Sequence, residues 1–181
     1  MNNIWFASDH HFGHNNILEY CGRPYDTIEE HDDDLIKRHN ELVGPDETVY
    51  FLGDVTFKKT PDKLYDIIPQ LNGSITLIRG NHDYWAKDKK GNKEKALELF
   101  PNLVEIVDYK EIRVDKTRLV LMHYPIETWN HRSIHLHGHT HNFNKVSGKG
   151  RIHVGVDAHN YYPVHIDEVF KLANGLKRDR E

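Results

Sequence analysis

Short, largely apolar runs at residues 3–8, 48–52, 75–78, 118–122 and 134–137 are each followed at once by side chains able to bind a metal or move a proton. Asp9 and His11 follow the first, in the pattern Asp-x-His, and Asp54 follows the second. Asn81 and His82 follow the third, His123 the fourth, and His139 and His141 the fifth. A carboxylate placed between two cations can bridge them. Imidazole with oxygen donors suits Mn, Fe, Zn or Ni better than Ca. Two Asp, one Asn and four His match what two ions about 3.5–4 Å apart require, with positions left open for water and substrate. Each piece alone has an ordinary explanation: Asp-x-His as a turn, Gly53-Asp54 as a strand end, His123 as a core histidine. Gly138-His139-Thr140-His141 says more, because alternate residues of an extended segment point the same way. Their common placement past strand ends argues for a shared site, since ligands of open α/β sheets bind at the carboxyl ends of strands.

The elements that must position these groups alternate strand and helix in the first half. Thr27 and Glu30 form a capping box ahead of Ile28, Leu35, Ile36, His39, Leu42 and Val43 at helical spacing, and Gly44-Pro45 ends that helix. Thr60-Pro61 predicts a second helix with Leu64, Ile67, Ile68 and Leu71 on one face, cut short near Pro69. With the strands at 3–8, 48–52 and 75–78 this is a βαβαβ plan, hence a parallel sheet with right-handed crossovers. A lysine-rich loop at 87–95 precedes a short helix at 94–100. Strands then crowd together (104–107, 111–114, 118–122, 134–137, 152–156, 164–166), and the turns between them predict antiparallel hairpins. A final amphipathic helix is expected from residue 167.

The chain of 181 residues is 38% hydrophobic, enough for a core, and no Pro/Gly/Ser linker divides it, so one domain over 1–181 is expected. No apolar run approaches the ~20 residues of a membrane helix, and no secretory signal is visible at the start. A single cysteine, Cys21, fits a reducing cytoplasm. With 24 basic against 28 acidic residues the formal charge is −4, so no global basic field grips nucleic acid. Histidine, at 15 residues, is the compositional outlier.

Asp9-x-His11, Gly53-Asp54, Gly80-Asn81-His82-Asp83, His123 and Gly138-His139-x-His141, in that order, resemble the motif set of the calcineurin-like metallophosphoesterase superfamily. The stretches FASDHHFGHNNI and MHYPIETWNHRSIHLHGHTH are closest to the small single-domain phosphoesterases of bacteria and phages. The resemblance implies that Asp9, His11, Asp54 and His141 hold one metal. It implies that Asp54 bridges to a second ion held by Asn81, His123 and His139, and that His82 is the catalytic histidine without being a ligand. Two divalent transition-metal ions are the implied cofactors, Mn first, with Fe, Ni or Zn as alternatives. Many relatives carry Asp or Asn three residues after the bridging Asp, where this chain has Phe57.

The expected fold is a four-layer α-β-β-α sandwich of two mixed sheets. Its first sheet holds the βαβαβ unit and its second holds the hairpins after residue 104. The expected chemistry is hydrolysis of a phosphodiester of a nucleotide or a nucleic-acid end, through a water acidified by the ions. A phosphomonoesterase (a nucleotide or protein phosphatase) and a non-catalytic scaffold of the same fold are the alternatives. His14, Arg23, Trp129 and Asn130 are candidate substrate contacts, with Asn16, His131 and Arg132 nearby. Arg23 is the forked donor suited to phosphate, and Trp129 the stacking face. The expected partner is a small phosphoester or nucleotide. Extended duplex nucleic acid, a membrane and a protein partner are not expected.

Overall fold

The computed structural model describes residues 3–130, 132–147 and 150–175. Two mixed five-stranded sheets face each other across an apolar core, with helices packed against them, which is the expected architecture. The first sheet runs β10-β1-β2-β3-β4, built from β1 (Ile4–Ala7), β2 (Thr48–Phe51), β3 (Ser74–Ile78), β4 (Leu103–Val107) and β10 (Val164–His165). Strands β1 to β4 are parallel, and β10 adds an antiparallel edge beside β1. The second sheet runs β5-β6-β7-β9-β8, from β5 (Lys110–Val114), β6 (Thr117–Leu121), β7 (Ser133–His137), β8 (Val146–Ser147) and β9 (Arg151–His153).

Period-two alternation decides which face each residue covers. Phe6, Leu52 and Ile78 of the first sheet meet Leu119, Leu121, Ile134, Leu136, Ile152 and Val154 of the second. Ala7, Phe51 and Leu77 turn the other way and pack under Leu35 of α2 (Ile28–Leu42) and Ala96 of α3 (Asn92–Leu99). Helix α2 starts where the capping box predicts, with Thr27 Oγ1 accepting from the Glu30 amide at 3.2 Å; Glu30 in turn accepts from the amide of Asp26. A short helix, α1 (Asn16–Tyr20), precedes it. Helix α4 (Ile166–Asn174) touches β1, β9 and β10 and sinks Ile166, Val169 and Ala173 into the inter-sheet core.

Three local expectations need correction. The segment at 61–71 makes two 3-10 turns, Pro61–Leu64 and Ile68–Gln70, in place of an α-helix. Pro69 offers no amide to a helical ladder and crowds the residue before it, and Ile67 has left helical geometry at φ −125°, ψ −71°. Leu64, Ile67, Ile68 and Leu71 are buried all the same. Next, the strands expected at 104–107 and 164–166 belong to the first sheet, because α3 carries the chain over to pair β4 parallel with β3 and the chain returns to lay β10 antiparallel beside β1. Finally, within the second sheet only β5–β6 and β8–β9 are antiparallel, whereas β6–β7 and β7–β9 run parallel. The turn at Asp115-Lys116 is tight enough for a hairpin, but the longer segments after β6 and β7 are crossovers. Parallel pairing sends the ends of β6 and β7 to the same edge, and His123, His139 and His141 stand just beyond those ends.

Three of the 15 histidines have a structural place outside the candidate site. His135, His137 and His153 line the face of the second sheet opposite the core, buried, with successive rings 5.5 and 5.3 Å apart. Burial pushes His137 down to about 4 and His153 down to about 3, so both are neutral at pH 7.

Candidate metal centre

The loops that follow β1, β2, β3, β6 and β7 converge on one edge. Ligand-capable atoms of Asp9, His11 and His141 lie within 4.8 Å of one another, as do those of Asp54, His123 and His139. The two groups are joined at Asp54, whose Oδ2 stands 3.8 Å from His11 Nε2 and 3.5 Å from His123 Nε2. Asn81 Oδ1 reaches His123 Nε2 at 3.1 Å. Six of the expected ligands thus fall into two adjoining clusters, with Asn81 against the second.

Nitrogen faces nitrogen in both clusters. His11 Nε2 and His141 Nε2 are 3.1 Å apart, and His139 Nδ1 and His123 Nε2 are 3.2 Å apart. Two imidazole lone pairs cannot face each other at that distance unless a proton or a cation lies between them. The outer nitrogens decide which pair points inward. His123 Nδ1 donates to the Leu52 carbonyl at 2.7 Å, and His141 Nδ1 donates to Asp157 Oδ2 at 2.9 Å, which turns each Nε2 lone pair toward the cluster. The donor set fits divalent transition metals, being imidazole and carboxylate held by outer hydrogen bonds.

The local field favours positive charge. Burial lowers the His141 imidazole, but its hydrogen bonds to Asp157 and Cys21 and the charge of Asp9 outweigh that and hold it up at about 10. Burial raises the Asp54 carboxyl, yet the hydrogen bond and charge of His123 bring it down to about 2. Asp9 shows the opposite balance, with burial taking it up to about 6 against the pull of His123 and His141. A cation between these groups would replace the proton that they compete for.

Backbone strain is concentrated here. Asp9, His11, Asp54, His139 and His141 have φ of 61°, 55°, 54°, 71° and 47°, in a region that costs L-residues roughly 1–3 kcal/mol each. Hydrogen bonds hold the loops against that cost. Asp9 N donates to the Gly53 carbonyl and His11 N to the Asp54 carbonyl, both at 3.0 Å. The buried Asp83 carboxylate accepts from the amides of Asp54, Val55 and Gly80 at 2.8–2.9 Å, tying the loops after β2 and β3 together. Gly53, at φ 90°, has no room for a side chain, because a Cβ there would lie 2.5 Å from the Gly80 nitrogen and 2.7 Å from His123 Nδ1.

His82 stands beside the centre, with Nε2 at 4.0 Å from Asp54 Oδ2 and its amide donating to Asp54 Oδ1 at 2.8 Å. Its ring stacks on Phe57 at 4.0 Å, so the residue three positions after Asp54 supplies a flat apolar support. His14 packs on the same phenyl at 4.1 Å and on His11 at 5.7 Å, at the margin of the site.

Of the other three candidate substrate contacts, Arg23 is the one the structure corrects. Arg23 is buried, and all of its donors are spent internally. Nε and Nη2 grip Asp157 at 2.8 and 2.9 Å, Nη1 meets the His10 carbonyl and His31, and Nη2 also holds the Asp9 carbonyl at 2.7 Å. It braces the metal loop and has nothing left for substrate. Trp129 donates to the Ser133 carbonyl at 3.1 Å and lies against His135 at 5.3 Å, covering the second sheet. Asn130 reaches Glu111 on β5 at 3.4 Å. His131 lies outside the described residues.

Asp157 is the functional residue that sequence reasoning missed. It links Arg23 to His141, and burial, which would raise its carboxyl, is overcome by His141 and Arg23, leaving it at about 2. Outer partners of metal-bound histidines typically contribute 10–100-fold in metal affinity or activity. Asp157→Asn should therefore raise the metal concentration for half-maximal activity about 10–100-fold. An unchanged half-saturation point in a variant that melts like the wild type would show that His141 needs no such partner.

Comparison with known proteins agrees with this geometry. The family model for the calcineurin-like phosphoesterases matches residues 3–164. An uncharacterized protein of Methanocaldococcus jannaschii is 34% identical over 95% of this chain and 92% of its own length. The gene 66 protein of Mycobacterium phage L5 is 31% identical over 99% of this chain and 98% of its own. The crystal structure of a protein of unknown function from Aquifex aeolicus superposes with a TM-score of 0.68 at 26% identity, covering 94% of this chain and 98% of that one. With the family model spanning nearly the whole described fold and all its motif residues brought to one edge, the chain belongs to the calcineurin-like phosphoesterase family, a family of metal-dependent enzymes.

Proposed function

We propose that this chain is a phosphodiesterase that uses two divalent transition-metal ions, Mn first among them, and acts on a small phosphodiester of a nucleotide or nucleic-acid end. The observation that carries the reading is the pair of adjoining ligand clusters, with Asp54 of the second 3.8 Å from His11 of the first and His82 4.0 Å from the same carboxylate. Two ions bound there would supply an acidified water and offset charge on the phosphoryl oxygens. The chain's own residues do the rest. Asp9, His11 and His141 would hold one ion, Asn81, His123 and His139 the other, and Asp54 lies between the two groups. His82, held flat by Phe57, is placed to give a proton to the leaving oxygen from its Nε2.

Diester over monoester is supported by the two arginines nearest the ligand motifs, neither of which has a free guanidinium to offset a second negative charge on the scissile group. Arg23 is spent inside, and Arg79 is spent on Asp108, with Nε and Nη2 each at 2.8 Å from a carboxylate oxygen. Mn-loaded protein should hydrolyse bis(p-nitrophenyl) phosphate faster than p-nitrophenyl phosphate under identical conditions. A monoester preference held across Mn, Ni and Zn would instead assign a phosphatase. No helix among the described residues is long and apolar enough to cross a membrane, and the lone cysteine supports a cytoplasmic setting.

A further inference from the structure

A cleft of about 300 Å³ opens beside the second ligand cluster, with Asn81 and His123 at its inner end. Met122 and Tyr124 give it an apolar and aromatic wall, and Arg79, Asp108 and Lys87 lie at its rim. Tyr124 is half-exposed, and its ring is fixed against His139 at 4.7 Å and His123 at 5.1 Å. Its backbone carbonyl accepts from His135 Nε2 at 3.0 Å, so the loop bearing the ring is anchored. Across the cleft, Lys87 Nζ sits 4.2 Å from the ring of the exposed Tyr84, and no carboxylate pairs with it among the described residues. From Lys87 the chain runs into exposed Lys89 and Lys90, which likewise have no carboxylate partner among the described residues. The overall charge is −4, so this unneutralised lip is a local departure from an acidic surface.

An aromatic face beside the ligand clusters, with one unpaired lysine in the cleft and two more exposed in the segment that continues from it, is chemistry that suits a single nucleic-acid strand. Bases stack on exposed rings regardless of sequence, and cations follow the backbone phosphates. Resting on the phosphodiesterase reading, we infer that this cleft is a subsite for the end of a single-stranded oligonucleotide. The terminal base would stack on Tyr124, and the neighbouring phosphates would lie along Lys87, Lys89 and Lys90. A simple diester would engage the ligand clusters alone and leave this surface unused.

The test compares a thymidylate hexamer with methyl p-nitrophenyl phosphate, a diester with no base and no second phosphate, on Mn-loaded protein. The hexamer should show the higher kcat/KM, and its logarithm should fall steeply with the logarithm of salt concentration. Replacing Lys87, Lys89 and Lys90 together by alanine should flatten that slope by about 2, at ~0.7 per phosphate contact on a single strand. Tyr124→Leu should cut the preference for the hexamer about tenfold, within the range of a lost base stack, and Tyr124→Phe should restore it. A hexamer hydrolysed no better than the methyl ester, with a salt slope that the triple variant does not change, would overturn the subsite and leave the phosphodiesterase reading standing. So would lysine or tyrosine losses that weaken both esters equally, since those residues would then serve the scissile group. Failure to cleave either ester with any of Mn, Ni or Zn would refute the phosphodiesterase reading itself.

Discussion

Asp54→Asn should reduce turnover below detection and weaken both metal sites together. The substitution keeps size and shape but removes the charge that stands 3.8 Å from His11 and 3.5 Å from His123. Burial already works against an ionised group at this position, and the carboxylate stays ionised because of the hydrogen bond and charge of His123 and the hydrogen bond from the His82 amide. An amide cannot offset two adjacent divalent charges, so on the proposed reading both ions would lose their common anion. The effect should exceed that of Asp157→Asn, which leaves every ligand in place. Calorimetric titration of the variant with Mn should show both affinities reduced. Retention of one site at wild-type affinity would mean that Asp54 belongs to one ion alone.

The second large effect concerns His82. His82→Ala should lower kcat by roughly 10²–10⁴-fold, the usual contribution of positioned proton transfer, while metal content stays near that of the wild type. The ring is not wedged among the ligands. Its imidazole is partly exposed and supported by Phe57, whereas its backbone amide, which any residue supplies, is what holds Asp54 Oδ1. The loss should shrink for esters with good leaving groups such as nitrophenolate, which need little protonation. An equal loss on good and poor leaving groups would assign His82 to charge stabilisation and leave the leaving group's proton without a donor.

The convergence of the candidate ligands was legible because each follows directly on an apolar run, so that strand-end position and residue type coincide within a few residues. The first half of the fold was legible for a related reason. Parallel strands joined by helices leave a local pattern, down to Thr27 and Glu30 at the start of α2. Strand pairing in the second half was not local. Nothing in residues 118–137 distinguishes a hairpin from a crossover except the length of the segment between β6 and β7, and turn residues drew the reading toward hairpins. Arg23 was misjudged because a guanidinium suits an external phosphate and an internal carboxylate equally. Burial decides between them, and burial depends on Asp157, 134 positions away. Asp157 carries no motif. The one available signal was an acidic residue soon after a buried strand, in a chain whose other strand ends carry ligands. Tyr124 adjoins His123 in sequence, yet only the fold shows its ring facing a cleft.

Metal stoichiometry tests the central claim most directly. Protein loaded with Mn to constant specific activity, freed of excess ion and analysed for metal per chain, should contain two ions, and activity should rise to its maximum only as the second is bound. Full activity with one ion per chain would contradict the account, because Asp54 would then bridge nothing and the second cluster would need another explanation.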